Sequence, residues 1–254
     1  MSSLGIVVPA FRPDIAHLER YLHDLESELT PETIRVEIDD PSEACVRRLS
    51  AIDAPSIEVS AVPYRRGKGA AITAGFEALS TDRLAFTDAD GSTSAAELAR
   101  VIDALDSADV AVGSRRHPES SIVGHRTYVR RLLGDGFAWL ARRALEPSLY
   151  DYQCGAKALD GESWERIRPH IYEPGFAWDL EALAVAGALG LDIREMPIVW
   201  EDQPGSTVSP VKTTLSMAKS LAVTRYRAKR LQNSSFHHAI HRGSEPIALI
   251  DRNR

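Results

Sequence analysis

The chain has 254 residues, 44% of them hydrophobic and 26% charged, with two cysteines. That composition suits a folded globular protein with a substantial core and excludes collagen-like, disulfide-scaffold and wholly disordered chains. A formal net charge of −6 argues against a nucleic-acid-binding body, and no run approaches the ~18 apolar residues of a membrane span.

The opening MSSLGIVVPA lacks the basic start and long apolar stretch of a secretory signal, so a cytoplasmic protein without a membrane anchor is expected. Leu4–Phe11 (LGIVVPAF) is a β-branched run broken by Pro9 and predicts a buried strand. From Asp14 to Leu29 the apolar residues Ile15, Leu18, Leu22, Leu25 and Leu29 recur at helical spacing, with Asp14 as N-cap. Ile34–Asp40 (IRVEIDD) alternates and ends in two acids, a second strand, and Ser56–Pro63 is a third. Gly67–Leu79 opens on glycines and continues as a helix, and DRLAFTDAD forms a fourth strand with its acids at the carboxyl end. Ala95–Leu105 reads as a helix and Asp109–Arg116 as a fifth strand.

Further on, Arg130–Leu145 is expected to be a helix, Asp151–Leu159 a strand or loop, Asp179–Leu189 an Ala-rich helix and Leu191–Glu201 a strand. Ser209-Pro210 has the form of a helix start, Ser as cap and Pro at the first helical position. The division expected is an α/β catalytic body over 1–210, a basic amphipathic helix over 211–232 and a flexible tail over 233–254.

Alternating strands and helices predict a mostly parallel sheet covered on both faces, with ligands held outside the carboxyl ends of its strands. Pro9–Phe11, Asp39-Asp40, Asp88–Asp90 and Ser114-Arg115 all fall at such ends. In FTDADGST, two carboxylates two residues apart suit a hard divalent cation whose remaining ligands are substrate phosphate oxygens. An acidic loop closing a strand is the competing reading. Cys45 and Cys154 lie far apart with no partner motif and are expected to be reduced thiols. Residues 1–202 carry 34 acids against 21 Lys/Arg, whereas 203–244 hold seven Lys/Arg and no acid, so the tail suits an anionic surface.

The ordered series PAF, IDDPS, RRGKGAAITAGFEAL, FTDADGST, VAVGSRR, DYQCGAK, FAWDLEAL and EMPIVWEDQPGSTV resembles family 2 glycosyltransferases, which have the GT-A fold. Within that family the chain looks most like the dolichyl- or polyprenyl-phosphate hexose synthases, over about residues 4 to 215. The resemblance implies an inverting transfer of a hexose from a nucleotide-diphosphate sugar, UDP-glucose or GDP-mannose, to a dolichyl or polyprenyl phosphate, with Mg²⁺ or Mn²⁺. A glycosyltransferase acting on a glycan or glycolipid hydroxyl, and a non-catalytic nucleotide-sugar-binding adaptor, are the alternatives.

The same resemblance implies residue roles. Pro9, Phe11, Ile38 and Asp40 would form the base and ribose pocket, and Asp88 and Ala89 would touch ribose and diphosphate. Asp90, with Asp88, would hold the metal, and Lys68 would lie near the sugar or diphosphate. Arg115 and Arg131 would handle the acceptor phosphate, for which an arginine fork is well shaped. Asp151, Gln153 and Lys157 lie in a segment like that of dolichyl-phosphate glucosyltransferases, with Gln153 and Lys157 donor-binding. Asp151 would face the donor sugar hydroxyls or assist the acceptor, being first choice for an assisting carboxylate, and Asp179 would bind sugar hydroxyls or act as a base. Bland alternatives stand beside these: Asp40 as a turn residue, Lys68 at a solvated helix start, Arg131 on a helix surface, Asp179 as a first-turn helix carboxylate.

The chain departs from the pattern at PAFRPD, where an acid is expected after the aromatic, so the acidic donor contact is either missing or moved to Asp14. It departs again at DDPS and at Gly134, where a serine is expected. Relatives carry carboxyl-terminal membrane spans. Here a basic helix with Met217, Leu221, Ala228 and Leu231 on one face would lie on an anionic membrane or a membrane protein, or pack on the acidic body.

Overall fold

Side chains alternate across a strand, and in β1 (Leu4–Phe11) this divides the core in two. Ile6 and Val8 face one layer of helices and Val7 the other, all fully buried. The computed structural model describes residues 2–124, 128–202, 210–232 and 246–252, with 128–133 and 210–216 described as backbone alone. The chain continues through α1 (Ile15–Leu29), β2 (Thr33–Asp39), α2 (Glu43–Leu49), β3 (Ile57–Val62), α3 (Lys68–Ala78), β4 (Arg83–Thr87), α4 (Ala95–Asp103), β5 (Val110–Ser114) and β6 (Ser121–Val123). After these come α5 (Tyr128–Ala144), β7 (Ala156–Asp160), α6 (Gly161–Ile167), α7 (Trp178–Ala188), β8 (Ile193–Pro197), β9 (Val199–Glu201) and α8 (Pro210–Leu231).

Seven strands form one mixed, mostly parallel sheet in the order β3-β2-β1-β4-β7-β5-β8. The chain runs outward from β1 to β3, then returns to the other side of β1 as β4. That reversal opens a crevice between the ends of β1 and β4, where open α/β sheets bind ligands. β7 enters antiparallel to both β4 and β5, so the residues that precede it, Asp151–Gly155, reach the same edge as the carboxyl ends of its neighbours. One layer, with α1, α2 and α4, packs on Ile6, Val8, Ile34, Val36 and Ile38. The other gathers Phe76, Phe86, Trp164 and Trp178, with the Phe86 and Trp178 rings edge to face at 5.5 Å.

Two short helices were not predicted. α2 and α6 each span seven residues and are capped by Ser42, which accepts from Cys45 N–H, and Asp160, which accepts from Ser163 N–H. The expected strand over Leu191–Glu201 breaks at Ile198. β8 joins the main sheet and β9 pairs with β6 in a two-stranded parallel sheet.

Of the two readings of the last helix, the described residues display packing on the body. Met217, Leu221 and Ala228 are buried against the body, with α7 and α5 as α8's main neighbours. Arg227 pairs with Glu181 and Lys229 with Glu146, so this stripe and part of its basic rim serve intramolecular packing. The flexible-tail expectation is corrected for residues 246–252. Leu249 is buried and its N–H donates to the Ile171 carbonyl at 2.8 Å, while Arg252 Nη2 donates to the Tyr172 carbonyl at 2.9 Å. Residues 233–245 and Ser209 lie outside the described residues. Both cysteines are buried free thiols, and burial pushes Cys154 up to about 11. Among the described residues no helix is long and apolar enough to cross a membrane.

Candidate active site

At the ends of β1 and β2 the backbone turns sharply. Arg12 and Asp40 both have φ of 49°, a left-handed conformation that costs non-glycine residues roughly 1–3 kcal/mol and clusters at functional sites. Their side chains meet, Arg12 Nη2 lying 2.6 Å from Asp40 Oδ2. Next to them Phe11 is 38% exposed, with the Arg65 guanidinium 4.1 Å from its ring centre, and Pro9 is half-buried. Ile38 is not part of this pocket. It lies on the opposite face of β2 from Asp39, fully buried in the core, because a period of two sends neighbours to opposite sides. Asp39 faces α3 instead, accepting from Arg66 Nε and from Gly67 N–H, each at 2.8 Å. Asp14 is committed as the cap of α1, its Oδ1 accepting from His17 N–H at 3.1 Å.

The D-x-D turn follows β4 and is held from several sides. Asp88 N–H donates to the Gly155 carbonyl at 3.0 Å, and a Cβ on Gly155 would lie 1.9 Å from Asp88 Oδ2. His17 Nε2 donates to the Asp90 carbonyl at 2.8 Å, and the buried Tyr21 hydroxyl donates to the Thr93 carbonyl at 2.7 Å. Ala89 is half-buried between the two acids. Asp90 is exposed, and one of its carboxylate oxygens accepts from Ser92 N–H at 3.0 Å. Two carboxylates at an open strand end fit a hard divalent cation whose remaining ligands come from a diphosphate. Among the described residues there is no cluster of three His, Cys, Asp or Glu that could hold an ion.

Behind this turn lies a chain of alternating charges. Lys68 Nζ sits 2.9 Å from Asp88 Oδ1 and 3.1 Å from Asp179 Oδ2, and Lys157 Nζ sits 2.7 Å from Asp179 Oδ1. Lys157 also donates to the Cys154 carbonyl at 2.6 Å. Asp179 is 2% exposed and Lys157 3%. Burial opposes the Asp179 charge, but the two ammonium groups outweigh it and hold the carboxyl below the usual carboxylate range. Burial likewise opposes the Lys68 charge, and Asp179 and Asp88 override it, keeping the ammonium protonated. Asp179 is therefore not placed as a base, and Lys157 lies beneath the cleft rather than lining it.

On the far side β5 delivers Arg115. Its Nε and Nη2 bind Asp151 Oδ2 and Oδ1 at 2.6 and 2.9 Å, a two-pronged pair. Arg116 Nη1 adds a contact at 3.2 Å and Gln153 N–H another at 3.0 Å. Asp151 is fully buried. Burial would raise its pKa, yet the guanidiniums drive it far below the ordinary range. The assisting carboxylate expected at Asp151 is thus an arginine holder, itself fixed by Glu195, whose Oε1 accepts Asp151 N–H at 2.7 Å. The Arg131 side chain lies outside the described side chains. At Gly134 the space of the expected side chain is taken by Arg116: a Cβ there would meet Arg116 Nη2 at 2.2 Å.

Sequence reasoning gave no role to Gly155, His17, Tyr21 and Arg116, and named Asp39 only as a strand-end residue. Strand parity would have separated Asp39 from Ile38. The others become visible through contacts between distant segments.

The sheet order and its crevice define a GT-A fold. It superposes on glucosyl-3-phosphoglycerate synthase from Mycobacterium tuberculosis, solved with Mn²⁺, UDP and glucosyl-3-phosphoglycerate, with a TM-score of 0.63 at 18% identity over 89% of this chain and 80% of that one. With mannosyl-3-phosphoglycerate synthase from Rubrobacter xylanophilus the TM-score is 0.67 at 15% identity, over 91% and 75% of the two chains. Residues 6–156 match the profile of glycosyl transferase family 2, and the chain belongs to that family. It is 28% identical over 243 residues to the dolichyl-phosphate beta-glucosyltransferase of Dictyostelium discoideum, covering 88% of this chain and 74% of that protein. With the Mus musculus protein of the same name it shares 27% over 245 residues, covering 88% and 75%.

Proposed function

We propose that this glycosyltransferase moves a hexose from a nucleotide-diphosphate sugar to a dolichyl- or polyprenyl-type phosphate, inverting the anomeric carbon, with Mg²⁺ or Mn²⁺. The observation that carries the reading is that Asp151 and Asp179, the carboxylates first in line as bases, are both buried against cations. A hydroxyl acceptor needs a base to take its proton. A phosphate monoester, with a second pKa of about 6, is already anionic at neutral pH and needs positioning and charge neutralisation instead. The names of the related proteins agree with such an acceptor.

In this reading Pro9, Phe11 and Asp40 receive the base, and Asp88 and Ala89 the ribose and diphosphate. Lys68 contributes its ammonium beside the diphosphate. Asp90 and Asp88 would hold the divalent cation, which offsets charge on the departing diphosphate. Arg115, and Arg131 by resemblance, orient the acceptor phosphate. Its oxygen forms the new bond to the anomeric carbon as the bond to the diphosphate breaks, and no proton has to move. Because a polyprenyl chain resides in a bilayer, the enzyme would work at the cytoplasmic surface of a membrane.

Labelled UDP-glucose and GDP-mannose, offered separately with dolichyl phosphate in detergent and Mg²⁺ or Mn²⁺, test this. Solvent-extractable product from one donor, lost with EDTA and in Asp90→Ala, is the expected result. Label passing to a glycan hydroxyl but never to lipid phosphate overturns it, as does donor binding without any transfer.

A further inference from the structure

Asp151 holds a second guanidinium besides that of Arg115. Arg116 places Nη1 3.2 Å from Asp151 Oδ1 and Nε 3.2 Å from Asp135 Oδ1, and its N–H donates to Ser114 Oγ at 3.3 Å. Room for it comes from Gly134 in α5, where a Cβ would stand 2.2 Å from Arg116 Nη2. Gly134 is not among the positive-φ residues, so the backbone has no need of glycine there, and glycine weakens a helix relative to alanine. The position costs helix stability and gains a place for one side chain.

These contacts use Nε and Nη2 of Arg115 and Nε and Nη1 of Arg116. Arg115 Nη1 and Arg116 Nη2 make no hydrogen bond among the described residues. The two side chains remain 16% and 15% exposed. Asp151 neutralises one of the two charges, while Asp135 is half exposed and its charge is screened by water. The result is a pair of donors, held in place by Asp151 and Asp135, at the sheet edge that carries the D-x-D turn.

We infer that Arg116 is a second phosphate-binding residue, gripping the acceptor phosphate together with Arg115, and that Gly134 is there to admit it. The inference rests on the phosphate-acceptor reading above. It makes Arg116 a determinant of acceptor affinity, separate from donor binding.

The test compares wild type with Arg116→Ala, Arg116→Lys, Gly134→Ala and the Arg116→Ala/Gly134→Ala double variant. Three quantities are measured: calorimetric binding of a short polyprenyl phosphate in detergent, donor KM, and thermal midpoint. Losing a charge-assisted hydrogen bond predicts acceptor affinity weaker by about 10- to 100-fold in Arg116→Ala, with donor KM within about twofold of wild type. Arg116→Lys restores part of the affinity, since an ammonium lacks the planar fork. Gly134→Ala keeps or raises the thermal midpoint and still weakens the acceptor, because its methyl evicts the guanidinium, and the double variant is no worse than Arg116→Ala alone. Unchanged acceptor affinity in Arg116→Ala, or effects of the two substitutions that add, overturns the inference while transfer to lipid phosphate stands. A wild-type protein that binds no polyprenyl phosphate and glycosylates a hydroxyl overturns both readings together.

Discussion

Removing the Asp179 carboxylate would leave Lys157 buried and Lys68 with one partner fewer. Breaking a buried ion pair from one side costs about 3–5 kcal/mol, so Asp179→Asn is expected to lower the unfolding free energy measured by urea denaturation by an amount in that range. Were Asp179 an exposed base, the same change would abolish transfer and spare stability, so the two measurements separate the roles. Gly155 makes a different demand. Its hydrogen lies where a methyl would press on Asp88, so Gly155→Ala should displace the D-x-D turn and weaken metal-dependent donor binding, read by titration with UDP and Mn²⁺. Unaltered binding in that variant would mean that Asp88 can shift freely. Of the residues in the cleft, Asp88, Asp90 and Arg115 were legible because an acid or arginine directly after an apolar strand has few structural uses. The burial of Asp151 and Asp179 was not legible, since a carboxylate facing water and one clamped between lysines read alike in a sequence.

Helix α8 shows how an amphipathic pattern can be legible while its partner stays open between a membrane and the acidic body. The stripe of Met217, Leu221 and Ala228 was visible from its spacing, yet a stripe does not say whether lipid or protein covers it. Here it meets α7 and α5, and the charges around it pair with Glu181 and Glu146. Leu221→Ala is therefore expected to destabilise the fold by about 2–5 kcal/mol, whereas Val223→Ala, on the exposed side, should stay within about 0.5 kcal/mol. Urea denaturation of both variants checks the contrast, and equal small effects would detach α8 from the core. The short helices α2 and α6 escaped the periodicity reading because seven residues hold barely two turns, too few for a stripe to repeat. Their caps, Ser42 and Asp160, were the available signal.

Charge pairing also sets how the whole protein answers to pH. Asp151 and Asp179 have folded-state pKa values below the unfolded value of about 3.9. Their stabilisation is fully present above about pH 4 and is lost as pH falls through the depressed folded values. Lys68 runs the other way: its raised folded pKa gives stability that is present below its unfolded value of about 10.4 and fades as pH rises through the folded one. Urea midpoints should therefore show no loss from these groups between about pH 5 and 9 and a fall on the acid side, flatter in Asp179→Asn. A steep loss near pH 6 in wild type would contradict the pairing.

Local chemistry was enough to specify the strand and helix periods, the polar strand ends and the order of motifs that led to the family. Those features depend on neighbours along the chain, which a sequence displays directly. Which carboxylate is open and which is clamped, where β7 inserts backwards between β4 and β5, and what covers α8 depend on contacts between segments far apart in the chain. The pairs Lys157–Asp179 and Arg115–Asp151 exist because the sheet brings their strands together, and it is that closure in space that sets their burial and their charge.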